Sequence, residues 1–149
     1  MNIYIAGPMS GIPQYNFPAF FAAAKTLRDN GYEVVCPAEM DDEDDKGLAM
    51  KSPDGMGFAR KTWGDFLMRD VKLVADVVDG VALLPGWHDS RGARLEAFIA
   101  LTVQKPVFFI DKLGDLKPVS IPSVLKTITS YVQDQGNVDR YKEAGDVNK

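Results

Sequence analysis

The chain has 149 residues, of which 46% are hydrophobic and 26% are charged, and its formal net charge is −4. This composition is typical of a soluble globular protein, and the negative charge argues against a nucleic acid as the main partner. The apolar runs are too short to span a bilayer, and Met1 leads straight into a strand instead of a signal peptide. A single cysteine, Cys36, and a single histidine, His88, argue against a disulfide and against a cysteine- or histidine-based metal site. We therefore expect a cytoplasmic protein that has neither a metal nor a membrane partner.

Predicted strands and helices alternate along the chain. Nearly continuous apolar runs predict four strands: NIYIAG (2–7), YEVVCP (32–37), VVDGVALLP (77–85) and KPVFFID (105–111). Helical patterns predict four helices, at 16–31, 62–76, 90–104 and 120–135. The first helix has Asn16 as its predicted N-cap, Pro18 in its first turn and Gly31 at its C-terminal end.

The segment 38–60 has no clear periodicity. It is acidic at first and then rich in glycine and serine, which predicts a long loop. Two interpretations stay open for this loop: a mobile lid over a binding site, or a surface insertion that the fold tolerates.

The alternation of elements predicts an α/β fold. Strands joined through helices pair in parallel by right-handed crossovers, and apolar strands are typical of a sheet covered on both faces. We expect a three-layer, doubly wound, flavodoxin- or Rossmann-like sheet of four or five strands, with a strand order beginning 2-1-3-4. One domain is predicted over residues 1–135, followed by a polar tail at 136–149. Ligands bind such sheets at the carboxyl ends of the strands where the order reverses. The loops GPMSG (7–11) and GWHDSRG (86–92) therefore flank the expected pocket.

Glu96 is a carboxylate on the apolar face of its predicted helix. Side chains three and four positions away share a helix face, and those around Glu96 are small or apolar: Gly92, Ala93, Ile99 and Ala100. A functional acid in the pocket is one interpretation. The alternative is a structural ion pair with Arg60, Arg91 or Arg94.

Asp70 is a second acid on an apolar face. It shares its face with Phe66, Leu67, Leu73 and Val74, while the polar face carries Asp65, Arg69, Lys72 and Asp76. Because burying one unpaired carboxylate is costly, two such acids on the helices before and after the third strand indicate an arranged pair. Paired acids in different environments divide the roles of nucleophile and proton donor.

Further polar groups are expected at the same edge of the sheet. Tyr4, in the first strand, lies where its hydroxyl can orient a carboxylate, although a core tyrosine is the alternative. Ser10, Ser90 and the N-terminus of the helix near Ser90 offer hydroxyl and N–H groups to an anion. Since the chain contains neither G-x-G-x-x-G nor G-x-x-x-x-G-K-[ST], we expect no nucleotide cofactor.

Three segments resemble one known superfamily. YIAGPMSG beginning at Tyr4, RDVKLVADVV containing Asp70 and DSRGARLE ending at Glu96 are similar to segments of the nucleoside 2-deoxyribosyltransferases, a superfamily that includes the 2′-deoxynucleoside 5′-monophosphate N-glycosidases. LLPGWHDSRGARLE looks like a branch of this superfamily often found in phages. The resemblance covers roughly the first 110 residues.

The resemblance implies a retaining glycosidase mechanism. Glu96 is expected to attack C1′ of the sugar and form an ester, Asp70 to contact the sugar or manage the proton of the leaving base, and Tyr4 to position Glu96. Ser90 is expected to contact a phosphate. We expect the substrate, a nucleotide or nucleoside, to contact both flanking loops at Gly7, Pro8, Met9, Ser10, Gly86, Trp87, Ser90 and Gly92. Tyr4 and the helix N-terminus are expected to offset burial and to keep Glu96 ionised near neutral pH.

Departures from the family pattern refine these expectations. Arg91 and Arg94 replace small residues; they either bind a phosphate or face solvent, whereas Trp87 and His88 either stack on a base or pack at the rim. No counterpart follows Val138 for the terminal residues that complete neighbouring sites in transferases, which favours hydrolysis over base transfer. The alternative to an enzyme is a nucleotide-binding module on the same scaffold.

A homodimer or larger homo-oligomer is expected from the family resemblance and from a surplus of aromatic residues. The aromatic residues are Phe20, Phe21, Trp63 and Phe66.

Overall fold

The computed structural model describes residues 1–57 and 62–134, with side chains to residue 131. Its strands are β1 (Asn2–Ala6), β2 (Glu33–Val35), β3 (Gly80–Leu83), β4 (Val107–Ile110) and β5 (Leu116–Pro118). Its α-helices are α1 (Phe17–Asp29), α2 (Glu43–Lys51), α3 (Trp63–Lys72), α4 (Arg91–Thr102) and α5 (Ile121–Asp134). Arg60 and the predicted tail 136–149 lie outside the described residues. None of the helices in the described ranges is long and apolar enough to cross a membrane.

All five strands form one sheet in the order β2-β1-β3-β4-β5. The pairs β1–β2, β1–β3 and β3–β4 are parallel, so the predicted α/β class and the order beginning 2-1-3-4 are confirmed. Tyr4 lies opposite Val35 on one side and Val81 on the other. The short β5 runs antiparallel to β4 at the edge of the sheet. Pro118 lacks a backbone N–H, and an edge strand tolerates this because no further strand pairs with it.

Alternate residues of each strand face the two opposite layers of helices. Tyr4 and Ala6 of β1 belong to a cluster with buried residues of α4 and α5, whereas Ile3 and Ile5 pack on the other face against α1. This alternation follows from the two-residue period of a strand, and it places the Tyr4 ring on the α4 side. Phe20 is fully buried in the α1 core. Its use as a surplus aromatic residue in favour of oligomerisation was therefore wrong.

The loop before α1 has an unusual backbone. Three residues in a row adopt left-handed φ angles, Gln14 at 58°, Tyr15 at 51° and Asn16 at 59°. Asn16 precedes α1 as predicted but makes no capping hydrogen bond with its side chain; its Nδ2 instead donates to the carbonyl of Pro8 at 2.9 Å. Asn16 thus holds in place the loop 7–11, called the first cleft loop below, while Pro18 occupies the first turn of α1.

The prediction of a loop throughout 38–60 was wrong in part. Residues 43–51 form α2, which begins at Asp42, whose carboxylate accepts a hydrogen bond from the Asp45 backbone N–H. The segment after α2 is joined to the first cleft loop, because the Gly11 N–H donates to the Gly55 carbonyl at 3.0 Å. A further pair of hydrogen bonds joins Gln14 to Met50 and Ser52. These hydrogen bonds hold the described part of the segment after α2 against the first cleft loop and the residues that follow it.

Candidate active site

A cleft of about 930 Å³ opens beyond the carboxyl ends of β1 and β3. This volume lies in the range of roughly 300–1,000 Å³ that is usual for small-molecule sites. The structure brings together all three predicted catalytic residues in its wall, Tyr4, Asp70 and Glu96. Seven of the eight predicted binding residues also line it: Gly7, Pro8, Met9, Ser10, Gly86, Ser90 and Gly92.

Trp87 is the predicted binding residue that lies elsewhere. Its side chain is 5% exposed, belongs to the core on the α4 side and packs 6.5 Å from the Phe109 ring, between centroids. The turn after β3 directs this large apolar ring into the core, so Trp87 does not line the cleft as the sequence predicted. His88 is about half exposed and is not part of the cleft wall.

The glycines of the cleft have two different structural roles. A Cβ atom at Gly7 would lie 2.8 Å from the Cβ of Leu84, so Gly7 allows the ends of β1 and β3 to approach. At Gly92, a Cβ atom would have only the Ser90 Oγ nearby, at 3.9 Å. Gly92 therefore leaves open space beside Glu96, on the first turn of α4.

Glu96 lies on the face of α4 that packs against β1. The helix starts at Ser90, whose Oγ accepts a hydrogen bond from the Ala93 N–H at 3.2 Å, and Glu96 follows between one and two turns later. The Glu96 side chain is buried, and the Tyr4 hydroxyl donates to its Oε1 at 2.9 Å. This bond fixes the carboxyl group between the sheet and the cleft, as the sequence predicted for Tyr4.

Asp70 reaches the same wall from α3. A capping box between Thr62 and Asp65 starts this helix, and Asp70 lies near its C-terminal end. Arg69 donates from Nε to Asp70 Oδ1 at 2.7 Å and from Nη1 to Asp41 Oδ1 at 3.1 Å. The Asp70 carboxylate is therefore paired with a cation, but it remains in the wall of the cleft.

Asp70 and Glu96 are the two buried charged residues in the described parts of the chain, at 8% and 6% exposure. The prediction that two acids lie on the buried faces of their helices is thus confirmed. No ion pair involves Glu96 among residues 1–57 and 62–134, and Arg60, one of the suggested partners, lies outside them. Within these residues, the ion-pair interpretation of Glu96 has no support.

Burial dominates the proton affinity of the three catalytic candidates. It raises the pKa of Glu96 well above the ordinary value, the nearby Asp70 charge raises it further, and the Tyr4 hydrogen bond opposes both effects less strongly. Burial also raises the pKa of Asp70, against the lowering effect of Arg69, and raises the pKa of Tyr4. The direction of the Glu96 pKa shift is opposite to the expectation that Tyr4 and the helix N-terminus offset the burial of Glu96.

The two arginines of α4 have different environments. The Arg91 guanidinium lies in the cleft wall, 5.0 Å from the centre of the half-exposed Trp63 ring. Arg94 points elsewhere: it stacks 4.1 Å from the centre of the Tyr131 ring and donates to the His88 carbonyl at 2.6 Å. Of the two, only Arg91 is placed to meet a ligand in the cleft.

Several cleft residues were missed by the sequence prediction. Asp41 and Arg69 line the cleft, and so does the aromatic ring of Trp63. Arg69 was assigned to the polar face of its helix, because helical spacing alone cannot show that its side chain bends back to Asp70. The acidic start of the segment 38–60 contains Asp41, but the sequence does not indicate that Asp41 pairs with Arg69.

The chemistry available to this site is that of paired carboxyl groups. In the described ranges, no group of three or more His, Cys, Asp or Glu residues is arranged to hold a metal ion. One buried acid accepts a hydrogen bond from a tyrosine, and a second acid is paired with an arginine. Two carboxyl groups in such unequal environments are suited to divide attack and proton transfer between them.

One family model matches the chain over residues 1–109, and its description is "Domain of unknown function (DUF4406)". The matched part contains β1 through α4 and hence all three catalytic candidates. No curated protein and no solved structure matches the chain.

Proposed function

The chain belongs to the DUF4406 family, and from the geometry of its cleft we propose that it cleaves the N-glycosidic bond of a deoxynucleoside 5′-monophosphate or a related nucleoside. The proposed reaction is a hydrolysis with retention at C1′, in which Glu96 is the nucleophile. We expect the enzyme to act in the cytoplasm without a cofactor.

The observation that carries this proposal is the placement of Tyr4, Asp70 and Glu96 in one cleft wall. Glu96 is buried in the cleft wall and oriented by the Tyr4 hydroxyl, and burial of a carboxyl group costs free energy. A purely structural role gives no reason for a second buried acid, Asp70, in the same wall. The resemblance of the surrounding segments to nucleotide N-glycosidases supplies the substrate class. A cleft of about 930 Å³ has room for a base, a sugar and a phosphate.

The proposed proton balance starts from the different partners of the two acids. Burial raises the pKa of Glu96 well above its ordinary value, and we propose that this residue begins with the proton. Asp70, which is paired with the Arg69 guanidinium, is proposed to begin ionised, and the Tyr4 hydroxyl donates to Glu96 Oε1. Transfer of the proton to Asp70 frees the Glu96 carboxylate, which attacks C1′ while the bond from C1′ to the base nitrogen breaks. Asp70 then gives its proton to the departing base. Positive charge developing at C1′ favours the ionised form of Glu96 in this step.

The second half of the reaction releases the sugar. Water attacks C1′ of the glycosyl ester, Asp70 accepts a proton from that water, and the Glu96 carboxylate leaves. One nucleotide and one water thus become a free base and a sugar phosphate, and the two inversions at C1′ give net retention. If a second base replaces water, the same ester supports base exchange.

A phosphorylated substrate is favoured by the entrance of the cleft. The Ser90 hydroxyl accepts from the Ala93 N–H and keeps its own hydrogen to donate, and Arg91 lies next to it at the start of α4. A helix N-terminus and a guanidinium both favour an anion. We therefore place the 5′-phosphate near Ser90 and the base toward the other flanking loop.

The direct test is incubation with a panel of deoxynucleoside 5′-monophosphates and the matching nucleosides, with free base measured by chromatography. Glu96→Gln keeps the size of the side chain and removes the nucleophile, so we expect turnover to be abolished while nucleotide binding changes by less than about tenfold. Asp70→Asn is expected to be slower by about 10²–10⁴-fold. Mass spectrometry of the quenched wild-type reaction should find the sugar on Glu96. Near-wild-type turnover by Glu96→Gln would disprove the assignment.

The second candidate function is nucleotide binding without catalysis. It is favoured by the burial of Glu96, which raises the pKa of this carboxyl group and so weakens its repulsion of an anionic ligand. Calorimetric binding of a nucleotide by wild-type protein, with no base released after prolonged incubation over a range of pH, would support this function instead.

A further inference from the structure

Arg69 has an arrangement that the proposed reaction does not by itself require. Its guanidinium contacts two carboxylates, Asp70 through Nε at 2.7 Å and Asp41 through Nη1 at 3.1 Å. Neighbouring residues of an α-helix point about 100° apart, so side chains at i and i+1 do not normally meet. The Arg69 side chain must therefore bend across the surface of α3 to reach Asp70.

Two contacts hold the guanidinium in this bent position. The Arg69 Cζ lies 5.4 Å from the centre of the Phe66 ring, one turn earlier on α3, and the Asp41 carboxylate binds the other edge. Arg69 and Asp41 have side chains that are 24% and 17% exposed, so solvent screens their interaction less than it screens a surface ion pair. Asp41 immediately precedes Asp42, the N-cap of α2. The contact between Arg69 and Asp41 therefore joins α3 to the start of α2.

From these contacts we propose that Arg69 is a positioning residue, which orients the Asp70 carboxylate in the cleft and joins it through Asp41 to the start of α2. The role of Asp70 in catalysis rests on the proposed function, whereas the orientation of Asp70 by Arg69 does not. In the described ion pairs, Arg69 is the cation that pairs with Asp70 and also the one that pairs with Asp41.

Removal of Arg69 leaves three acids on one side of the cleft. The groups facing Asp70 are then Asp41 before α2, Tyr4 of β1 and Glu96 of α4, and none of them is a cation. We expect Asp70 to keep its proton to a higher pH and to lose its fixed orientation. A lysine at position 69 restores one charge but cannot hold two carboxylates with a planar fork, so it should restore the wild-type behaviour only in part.

The first experiment does not need catalysis. Protein labelled with ¹³C at the aspartate carboxyl carbons is titrated by NMR, and the Asp70 signal is identified by its loss in Asp70→Asn. We expect the midpoint of Asp70 to be higher in Arg69→Gln than in wild type, and intermediate in Arg69→Lys. The control is Lys72→Gln, which removes an exposed cation from the same helix and should leave the midpoint unchanged. Equal midpoints in wild type and both Arg69 variants would overturn the proposal.

The second experiment uses base release. Arg69→Gln should lower kcat/KM at least tenfold and move the acid limb of the pH profile to higher pH. Arg69→Lys should reverse part of both effects. The control Lys72→Gln should keep the wild-type kcat/KM and pH profile. A double-mutant cycle tests the link to α2: Asp41→Asn should lower kcat/KM in wild type but change it by less than twofold in Arg69→Gln. Independent effects of the two substitutions would refute the link.

The two proposals fail in different ways. If wild-type protein releases no base, the proposed function fails, and the NMR titration still decides the role of Arg69. If wild-type protein is active while Arg69→Gln and Arg69→Lys keep the wild-type pH profile and Asp70 midpoint, the function stands and the positioning role is wrong. Circular dichroism shows whether each variant is folded. If Arg69→Gln does not fold, Arg69→Lys is the variant compared with wild type.

Discussion

Glu96 links the chemistry of the cleft to the stability of the fold. Its pKa is raised in the folded protein, mainly by burial. As the pH rises above the ordinary pKa of a glutamate, the unfolded chain ionises at this residue while the folded chain still holds the proton. The folded state binds more protons over this range, so its stability falls as the pH rises and levels off only above the raised pKa.

We therefore expect Glu96→Gln to become more stable than wild type as the pH rises from 4 to 8. Glutamine keeps the size of the side chain and does not titrate, so the wild-type loss of stability at this residue disappears. Urea denaturation at each pH measures the difference, which should grow in one direction with pH. Glu33→Gln, an exposed substitution in β2, is the control and should show no such trend. A constant difference between Glu96→Gln and wild type would contradict the burial of an ionisable Glu96.

The two arginines of α4 provide a matched test of phosphate binding. Arg91 lines the cleft, and Arg94 is engaged by Tyr131 and the His88 carbonyl. Arg91→Ala should lower the preference for a 5′-monophosphate over its nucleoside by roughly tenfold, or about 1.4 kcal/mol, because one charge-assisted contact is lost. Arg94→Ala should leave this preference unchanged. The measurement is the ratio of kcat/KM for the two substrates, or of Kd if no turnover occurs. Equal losses in both variants would exclude a specific role for Arg91.

The docking of the segment after α2 depends on the absence of a side chain at one glycine. Gly55 has a φ of +68°, and a Cβ atom there would lie 2.0 Å from the carbonyl oxygen of Ile12. Gly55→Ala should therefore destabilise the protein by more than about 1 kcal/mol and weaken ligand binding, since this segment forms part of the cleft wall.

Gly47→Ala is the matched control for this prediction. Gly47 is exposed within α2, and a Cβ atom there would meet nothing within 4 Å. The substitution should stabilise the protein by up to about 1 kcal/mol, because alanine is the better helix former. Thermal and urea denaturation of both variants give the comparison. If Gly55→Ala is as stable as wild type, the contact between this segment and the first cleft loop is not a tight one.

At the scale of elements, the success of prediction depended on the number of apolar residues in each segment. The strands β1, β3 and β4 are apolar runs between turns, and the parallel order follows from the helices that separate them. Helix α2 was missed because its sequence, EDDKGLAMK, has a mean hydrophobic content too low to produce a helical pattern. Strand β5 has only three residues and includes Pro118, so its existence depends on the neighbouring β4.

The same principle explains which site residues were predicted. Asp70 and Glu96 interrupt otherwise apolar helix faces, which is a signal that a sequence can carry. The bend of Arg69 toward Asp70 and Asp41 results from contacts between distant segments, which helical spacing does not contain. Trp87 was misplaced because a large aromatic residue in a polar loop is compatible with either the rim or the core.

At the scale of the whole molecule, self-association stays a prediction. Several large apolar side chains are exposed on α3 and α4, two helices that pack together: Trp63, Met68 and Phe98, at 52%, 76% and 44%. Burial of such side chains against a second copy would remove them from water. We expect multi-angle light scattering at micromolar concentration to give at least twice the mass of the chain. A monomer mass across the whole concentration range would refute this expectation.

The hydrogen bond between Tyr4 and Glu96 joins residues 92 positions apart. The inner strand β1 comes first in the chain, but its neighbour β3 and the helix that carries Glu96 are synthesised much later. Contacts of this separation require closure of a long loop, which makes them slow to form. We therefore expect the hydrogen-bonded pair of Tyr4 and Glu96 to form late in folding. A partly folded chain in which α4 has not yet packed on β1 would then lack an assembled catalytic site.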